Sequence, residues 1–200
     1  ADLAMYAAKR QDKGGYQIFA DEIESEFTQR VELEAELRRA VTEDEVHLHY
    51  QPIVALSTGE ITGFEALLRW NRQQRSPLGP DHFIPVLESS GLIAQVGEWV
   101  LREACRQAAA WQRETGQAIS VSVNVSPPQL NAPNFVDMVI ATLRQTKLPP
   151  ATLTLEITEG VMVADVEQVI AKLHQLRDLG IRMAIDDFGT GYSSLRYLQT

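Results

Sequence analysis

Strand period two divides three short segments of this chain into one apolar and one polar face, and this division constrains the fold more than any other feature. Residues 119–125 alternate Ile119, Val121, Val123 and Val125 with Ser120, Ser122 and Asn124. Residues 152–157 set Leu153, Leu155 and Ile157 against Thr152, Thr154 and Glu156, and residues 181–186 set Ile181, Met183 and Ile185 against Arg182, Ala184 and Asp186. Helical patterns separate these segments, so the strands are predicted to run parallel in strand-helix-strand units. A parallel sheet covered by helices on both sides is apolar on both faces. A polar face repeated on successive strands lines the inside of a barrel instead. The fold class is therefore read as α/β, a TIM-like (β/α)8 barrel.

Other elements are placed by the same signals. Strands are predicted at 46–53 and 61–68, joined across Ser57-Thr58-Gly59, with helices at 83–88, 94–111 and 135–145. The stripe of the second of these helices is Val96, Trp99, Val100, Ala104, Ala108 and Trp111. A last helix begins at Asp165 as N-cap, with Gln168 three residues on, and stops at Gly180. Ahead of the barrel pattern, Ile23, Phe27, Val31, Leu33, Leu37 and Val41 recur at helical spacing, which makes 21–41 an amphipathic connector packed on one side. Residues 1–20 hold a helical stretch at 1–9, a Gly14-Gly15 break and a short β-like run at 16–19, too little for a domain.

Composition excludes several classes. With 44% hydrophobic and 22% charged residues, the chain is neither disordered, collagenous nor a coiled coil. Its 18 basic against 27 acidic residues give a net charge of −9, and no basic run offers the phosphate-neutralising stripe that a DNA or RNA polymer requires. No uncharged apolar run approaches the roughly 20 residues of a membrane span, and the first residues lack a secretion signal. The single Cys105 lies in an apolar-periodic segment and fits a packed thiol in a reducing cytoplasm. Without an initiator Met, the chain reads as cut from a longer protein.

The chemistry is expected at the strand ends. The last polar-face residue of each patterned strand carries an oxygen donor, Asn124, Glu156 or Asp186, and Glu65 near the end of its own strand is a fourth. Strand C-terminal ends form the active-site rim of such barrels, so these four would converge. Gathered carboxylates repel unless a cation lies between them or they take up protons. Hard oxygen donors with no His or Cys at matching positions select Mg²⁺ or Mn²⁺. Asp187, beside Asp186, could turn towards a second ion, and two ions roughly 4 Å apart are the usual device for cleaving a phosphodiester. The bland alternative makes Glu65 and Glu156 ordinary solvated carboxylates. His47 and His49 share a strand face and could clip a metal, yet no third ligand accompanies them in spacing. Trp70, Trp99 and Trp111 read as packing residues.

Several stretches carry a resemblance. Phe64-Glu65-Ala66-Leu67-Leu68-Arg69-Trp70, Val123-Asn124-Val125-Ser126, Leu155-Glu156-Ile157-Thr158-Glu159 and the run from Asp186-Asp187-Phe188-Gly189-Thr190-Gly191 to Leu195 strongly resemble the EAL-domain family, the bacterial cyclic di-GMP phosphodiesterases. Tyr50-Gln51-Pro52-Ile53 and Gly91-Leu92-Ile93 fit it as well. Residues 1–9 resemble the final helix of a GGDEF domain, the diguanylate cyclase module. The resemblance implies a GGDEF remnant at 1–20, a connecting helix at 21–41, and the N-terminal two-thirds of an EAL domain at 42–200, ending before the barrel closes.

The same resemblance implies the roles. Glu65, Asn124, Glu156 and Asp186 would hold a first metal, Asp186 and Asp187 a second, with Glu65, Glu156 and Asp187 central to catalysis. Arg69 would bind a substrate phosphate, with Gln51 and Leu67 beside the substrate. Glu159 would brace the loop from Asp187, through Gly189, Thr190 and Gly191, that couples substrate, metal and dimerisation. The implied activity is metal-dependent hydrolysis of cyclic di-GMP to linear pGpG, assigned to the complete protein, because the family's later lysine, glutamate and glutamine would fall beyond Thr200. The 200 residues alone are expected to be inactive. Implied partners are a GGDEF neighbour, sensory domains and a second copy of the protein; the location would be cytoplasmic, with any inner-membrane anchor elsewhere in the parent. The rival readings are a non-catalytic EAL-like receptor, and an unrelated barrel enzyme with one Mg²⁺ at an enolate. Intact motif words argue against the first, and the Asp186-Asp187 pair against the second.

Overall fold

The computed structural model describes residues 21–43, 45–72, 78–158 and 166–186. Within them lie helix α1 (Asp21–Thr42), strands β1 (Val46–Val54) and β2 (Ile61–Trp70), helices α2 (Pro80–Ser90) and α3 (Ile93–Thr115), and strand β3 (Ser120–Val125). Helices α4 (Pro127–Asn131) and α5 (Phe135–Thr146), a 3-10 turn (Pro150–Thr152), strand β4 (Leu153–Thr158), helix α6 (Val166–Asp178) and strand β5 (Arg182–Asp186) follow. The proposed readings of 1–20, of Asp165 as a cap, and of the loop carrying Glu159, Asp187, Gly189 and Thr190 lie outside the described residues.

The strands form one sheet in the order β1-β2-β3-β4-β5, with β2 to β5 parallel. This is an open arc of a TIM-like barrel. Its apolar face packs on helices: Val121, Val123, Val125, Leu153, Leu155 and Ile157 are all buried. Helix α3 supplies the opposing stripe of Val96, Val100, Leu101, Ala104, Cys105 and Ala108. Burial also pushes the Cys105 thiol up to about 12, as the inert packed cysteine requires. Trp99 and Trp111, expected in that stripe, are only half-buried. Trp111 covers the β1–β2 end of the sheet, edge-on to Tyr50 at 4.9 Å and tilted on Phe64 at 4.6 Å between ring centroids.

The parallel pattern of the later strands does not extend to β1, which pairs antiparallel with β2. The connection is a tight turn in which Ala55 and Glu60 pair through the backbone at 2.9 Å and Gly59 takes φ 73. A link this short can only reverse the chain, since parallel strands need a crossover of a dozen or more residues. The start of β1 therefore lies beside the end of β2, with His47 opposite Arg69.

Helix α1 docks through fully buried Leu37 and Ala40. Its Glu36 pairs with Arg72 at 2.7 Å, and the Arg72 guanidinium lies 5.1 Å from the Trp70 ring centre. Trp70 is buried edge-on against Phe83 of α2, and its indole N–H donates to Glu45 at 3.2 Å.

Candidate active site

The inner face of the arc is built row by row from strand register. Gln51 of β1 stands opposite Glu65, Glu65 opposite Ser122, Asn124 opposite Glu156, and Asp186 opposite Thr158. From β2 to β5 the oxygen donors climb two residues between Glu65 and Asn124, stay level between Asn124 and Glu156, and climb two more to Asp186. In a barrel, strands tilt and stagger about the axis, so groups that climb in register stay at one height. The amide of Asn124 accordingly reaches Glu65, donating to its Oε1 at 2.8 Å although the two occupy different rows.

Glu156 reports on its neighbours. Burial pushes its carboxyl above the ordinary range, the Ser122 hydroxyl pulls it back by hydrogen bonding, and the negative charges of Glu65 and Asp186 push it up again. Three carboxylates from three strands therefore lie within electrostatic reach of one another. Among the described residues, no three His, Cys, Asp or Glu side chains are close enough to enclose an ion. The donor set nonetheless suits a hard divalent cation: oxygens only, concentrated negative charge, and one neutral amide.

A cavity of about 450 Å³ opens over this rim, with Glu65, Leu67, Arg69, Asn124 and Asp186 in its lining. Helix α2 closes one side with Ile84, Pro85 and Glu88, whose carboxyl is pushed up by burial. Arg69 is half-buried, its guanidinium donating to the Leu68 carbonyl at 2.9 Å, rather than a free surface cation. Gln51 is exposed beside Glu65, and Leu67 is half-buried opposite His49. The structure thus places Glu65, Asn124, Glu156 and Asp186 on one face, with Asn124 bonded to Glu65 and the three carboxylates within electrostatic reach, and Arg69 and Leu67 on the cavity that Glu65, Asn124 and Asp186 line; Asp187 and Glu159 lie outside the described residues.

One supporting residue escaped the sequence reading. Directly after β3, Gln129 accepts from the Ser126 backbone N–H at 3.1 Å and from its hydroxyl at 2.9 Å, fixing the turn that follows Asn124. Its amide fits because residue 97 on α3 is glycine: an added Cβ there would overlap the Gln129 side chain. Lys172 of α6 closes the other end of α4, donating to the carbonyls of Leu130, Asn131 and Ala132 at 2.8, 3.0 and 2.9 Å. The signal was present as Ser126-x-x-Gln129, a capping-box spacing in a helix too short to show period.

Comparison with known proteins identifies the family. The sequence model of the EAL domain matches residues 34–200. The chain belongs to the EAL domain family. Over 199 residues it is 41% identical to the cyclic di-GMP phosphodiesterase NbdA of Pseudomonas aeruginosa, and equally to the bifunctional diguanylate cyclase/cyclic di-GMP phosphodiesterase MucR of the same organism. All of the chain is covered in both matches, but only 25% and 29% of those proteins, so it spans about a quarter of their length. The solved PaMucR phosphodiesterase in complex with c-di-GMP superposes with TM-score 0.79 at 42% identity, over 84% of this chain and 68% of that one. Among the described residues of this EAL domain, no helix is long and apolar enough to cross a membrane.

Proposed function

We propose that this EAL domain serves a phosphodiesterase that hydrolyses one bond of cyclic di-GMP to give linear pGpG, with Mg²⁺ or Mn²⁺ as cofactor. The observation that carries the reading is the climbing set of Glu65, Asn124, Glu156 and Asp186 under a cavity whose lining includes Arg69. The names of the relatives, and the cyclic dinucleotide in the PaMucR structure, support the same substrate. Glu65, Asn124, Glu156 and Asp186 would hold one ion, and Asp186 with Asp187 a second. Such a pair supplies an acidified water and neutralises phosphate charge.

The chain's own residues do the rest. Arg69 meets a substrate phosphate with its planar fork, and Leu67 gives the cavity an apolar contact near Glu65. Ser122 and Asn124 hold the Glu156 and Glu65 carboxylates by hydrogen bonds, so their oxygens keep position as a dianionic ligand enters. Glu159 braces the loop through Asp187, Gly189 and Thr190, and Gln51 contacts the substrate beside Glu65. A GGDEF neighbour, residues 1–20 being its last part, a homodimer and a cytoplasmic location complete the reading; the buried lone Cys105 suits a reducing compartment.

The test is chromatographic assay of cyclic di-GMP linearisation by the full-length protein with Mg²⁺. Glu65→Ala is expected to lower the rate by about a hundredfold or more, since even outer partners of metal ligands cost up to that much. A full-length wild type that binds the dinucleotide and leaves it intact would make the domain a receptor instead.

A further inference from the structure

The start of β1 carries a feature that the phosphodiester chemistry does not use. His47 and His49 sit two residues apart on one face of the strand, opposite Arg69 and Leu67. Their Nε2 atoms lie 3.3 Å apart, with ring centroids at 5.0 Å and planes tilted by 55°. His47 is half-buried and His49 exposed, so the pair is open to solvent.

The separation matches a chelate. Two imidazole nitrogens at the usual 2.0–2.1 Å from a zinc-like ion and 3.3 Å from each other subtend about 105° at the metal, close to the tetrahedral angle. Both ligating atoms are the same ring nitrogen on adjacent same-face positions, so the strand presets the bite without rearranging the backbone. Which Nε2 donates in this contact depends on the tautomer of each ring. With both rings in the Nδ1–H tautomer, both Nε2 lone pairs are available to an ion.

We infer that His47 and His49 form a two-histidine clip for a borderline divalent cation such as Ni²⁺, Zn²⁺ or Cu²⁺, separate from the hard-oxygen centre around Glu65. Imidazole donors select this class over Mg²⁺, whereas the carboxylate rim makes the opposite choice. Because no third His, Cys, Asp or Glu among the described residues joins the pair, solvent fills the remaining coordination positions. Arg69 across the register opposes a cation, which makes the site an exchangeable one rather than a structural zinc.

Calorimetric titration of the full-length protein with Ni²⁺, in excess Mg²⁺ to occupy oxygen sites, tests this. The wild type is expected to bind Ni²⁺ at a site that His47→Gln and His49→Gln each weaken by about tenfold or more, the scale on which even outer-shell changes act on metal sites. Glu65→Gln and His82→Gln, the latter at an exposed histidine of α2, are expected to keep that site at wild-type affinity, with unchanged circular dichroism for all variants. Cu²⁺ electron paramagnetic resonance provides a second readout: two imidazole nitrogens coupled to one copper in the wild type, and one in either histidine variant. Wild-type protein without the Ni²⁺ site, Ni²⁺ affinity that survives both histidine substitutions, or loss of the site in Glu65→Gln would each overturn the inference.

Discussion

Tyr50 shows how a single side chain can be read beyond its motif. Its ring packs edge-on against Trp111, and its buried hydroxyl has no hydrogen-bond partner among the described residues. Burial, reinforced by the charge of Glu103, pushes its phenol from 10.0 up to about 12. The folded state therefore prefers the neutral phenol. That preference is fully present below the unfolded value and is lost as pH climbs through the folded one. Urea denaturation at about pH 9 and about pH 11 is expected to show a larger alkaline loss of stability in wild type than in Tyr50→Phe, and equal losses would contradict this. Residue identity made the oxygen-donor set legible in sequence, because period two alone assigns Asn124, Glu156 and Asp186 to one face. The Asn124–Glu65 hydrogen bond and the His47–His49 contact were not legible, because both depend on side-chain torsions that spacing does not determine.

At the scale of elements, the strands and long helices were readable because their apolar periods extend over a turn or more. The direction of β1 depended on turn length rather than period, and α4 is too short to have a period. What α4 lacks in length it gains in clamps: Gln129 on Ser126, Lys172 on its last carbonyls, and the space left by Gly97. Gly97→Ala is expected to destabilise the domain by about 1–3 kcal/mol despite alanine's better helix propensity, because overpacking outweighs a gain of under about 1 kcal/mol. In Gly97→Ala/Gln129→Ala the cost should fall below the sum of the single changes, and additive values in denaturant titrations would refute the clash.

Helix α1 raises the same question of which contacts matter. Glu36 and Arg72 are about 13% and 15% exposed, whereas Arg38 and Glu34 on the same helix are 55% and 37% exposed. Glu36→Ala is expected to cost about 2 kcal/mol by leaving the Arg72 charge unpaired against Trp70. Glu34→Ala is expected to cost less than about 0.5 kcal/mol, as exposed helix pairs do. Thermal or urea melts of both variants provide the comparison.

Across the whole molecule, a chain of net charge −9 gathers three of its carboxylates at the open end of one sheet. Strand register places them on one face of the sheet, and helices on the opposite face cover its apolar side. The sequence revealed this architecture because only a barrel interior gives a polar face to successive parallel strands. It could not reveal the 450 Å³ cavity, whose wall comes from α2, an element its periodicity placed without saying where it would dock. The central claim is that the climbing oxygen donors form one centre for hard divalent ions. Manganese anomalous scattering from crystals of the full-length protein soaked in Mn²⁺ measures this directly. The account predicts a peak about 2.0–2.2 Å from oxygens of Glu65, Asn124, Glu156 and Asp186. Manganese bound elsewhere, with these four side chains left uncoordinated, would contradict it.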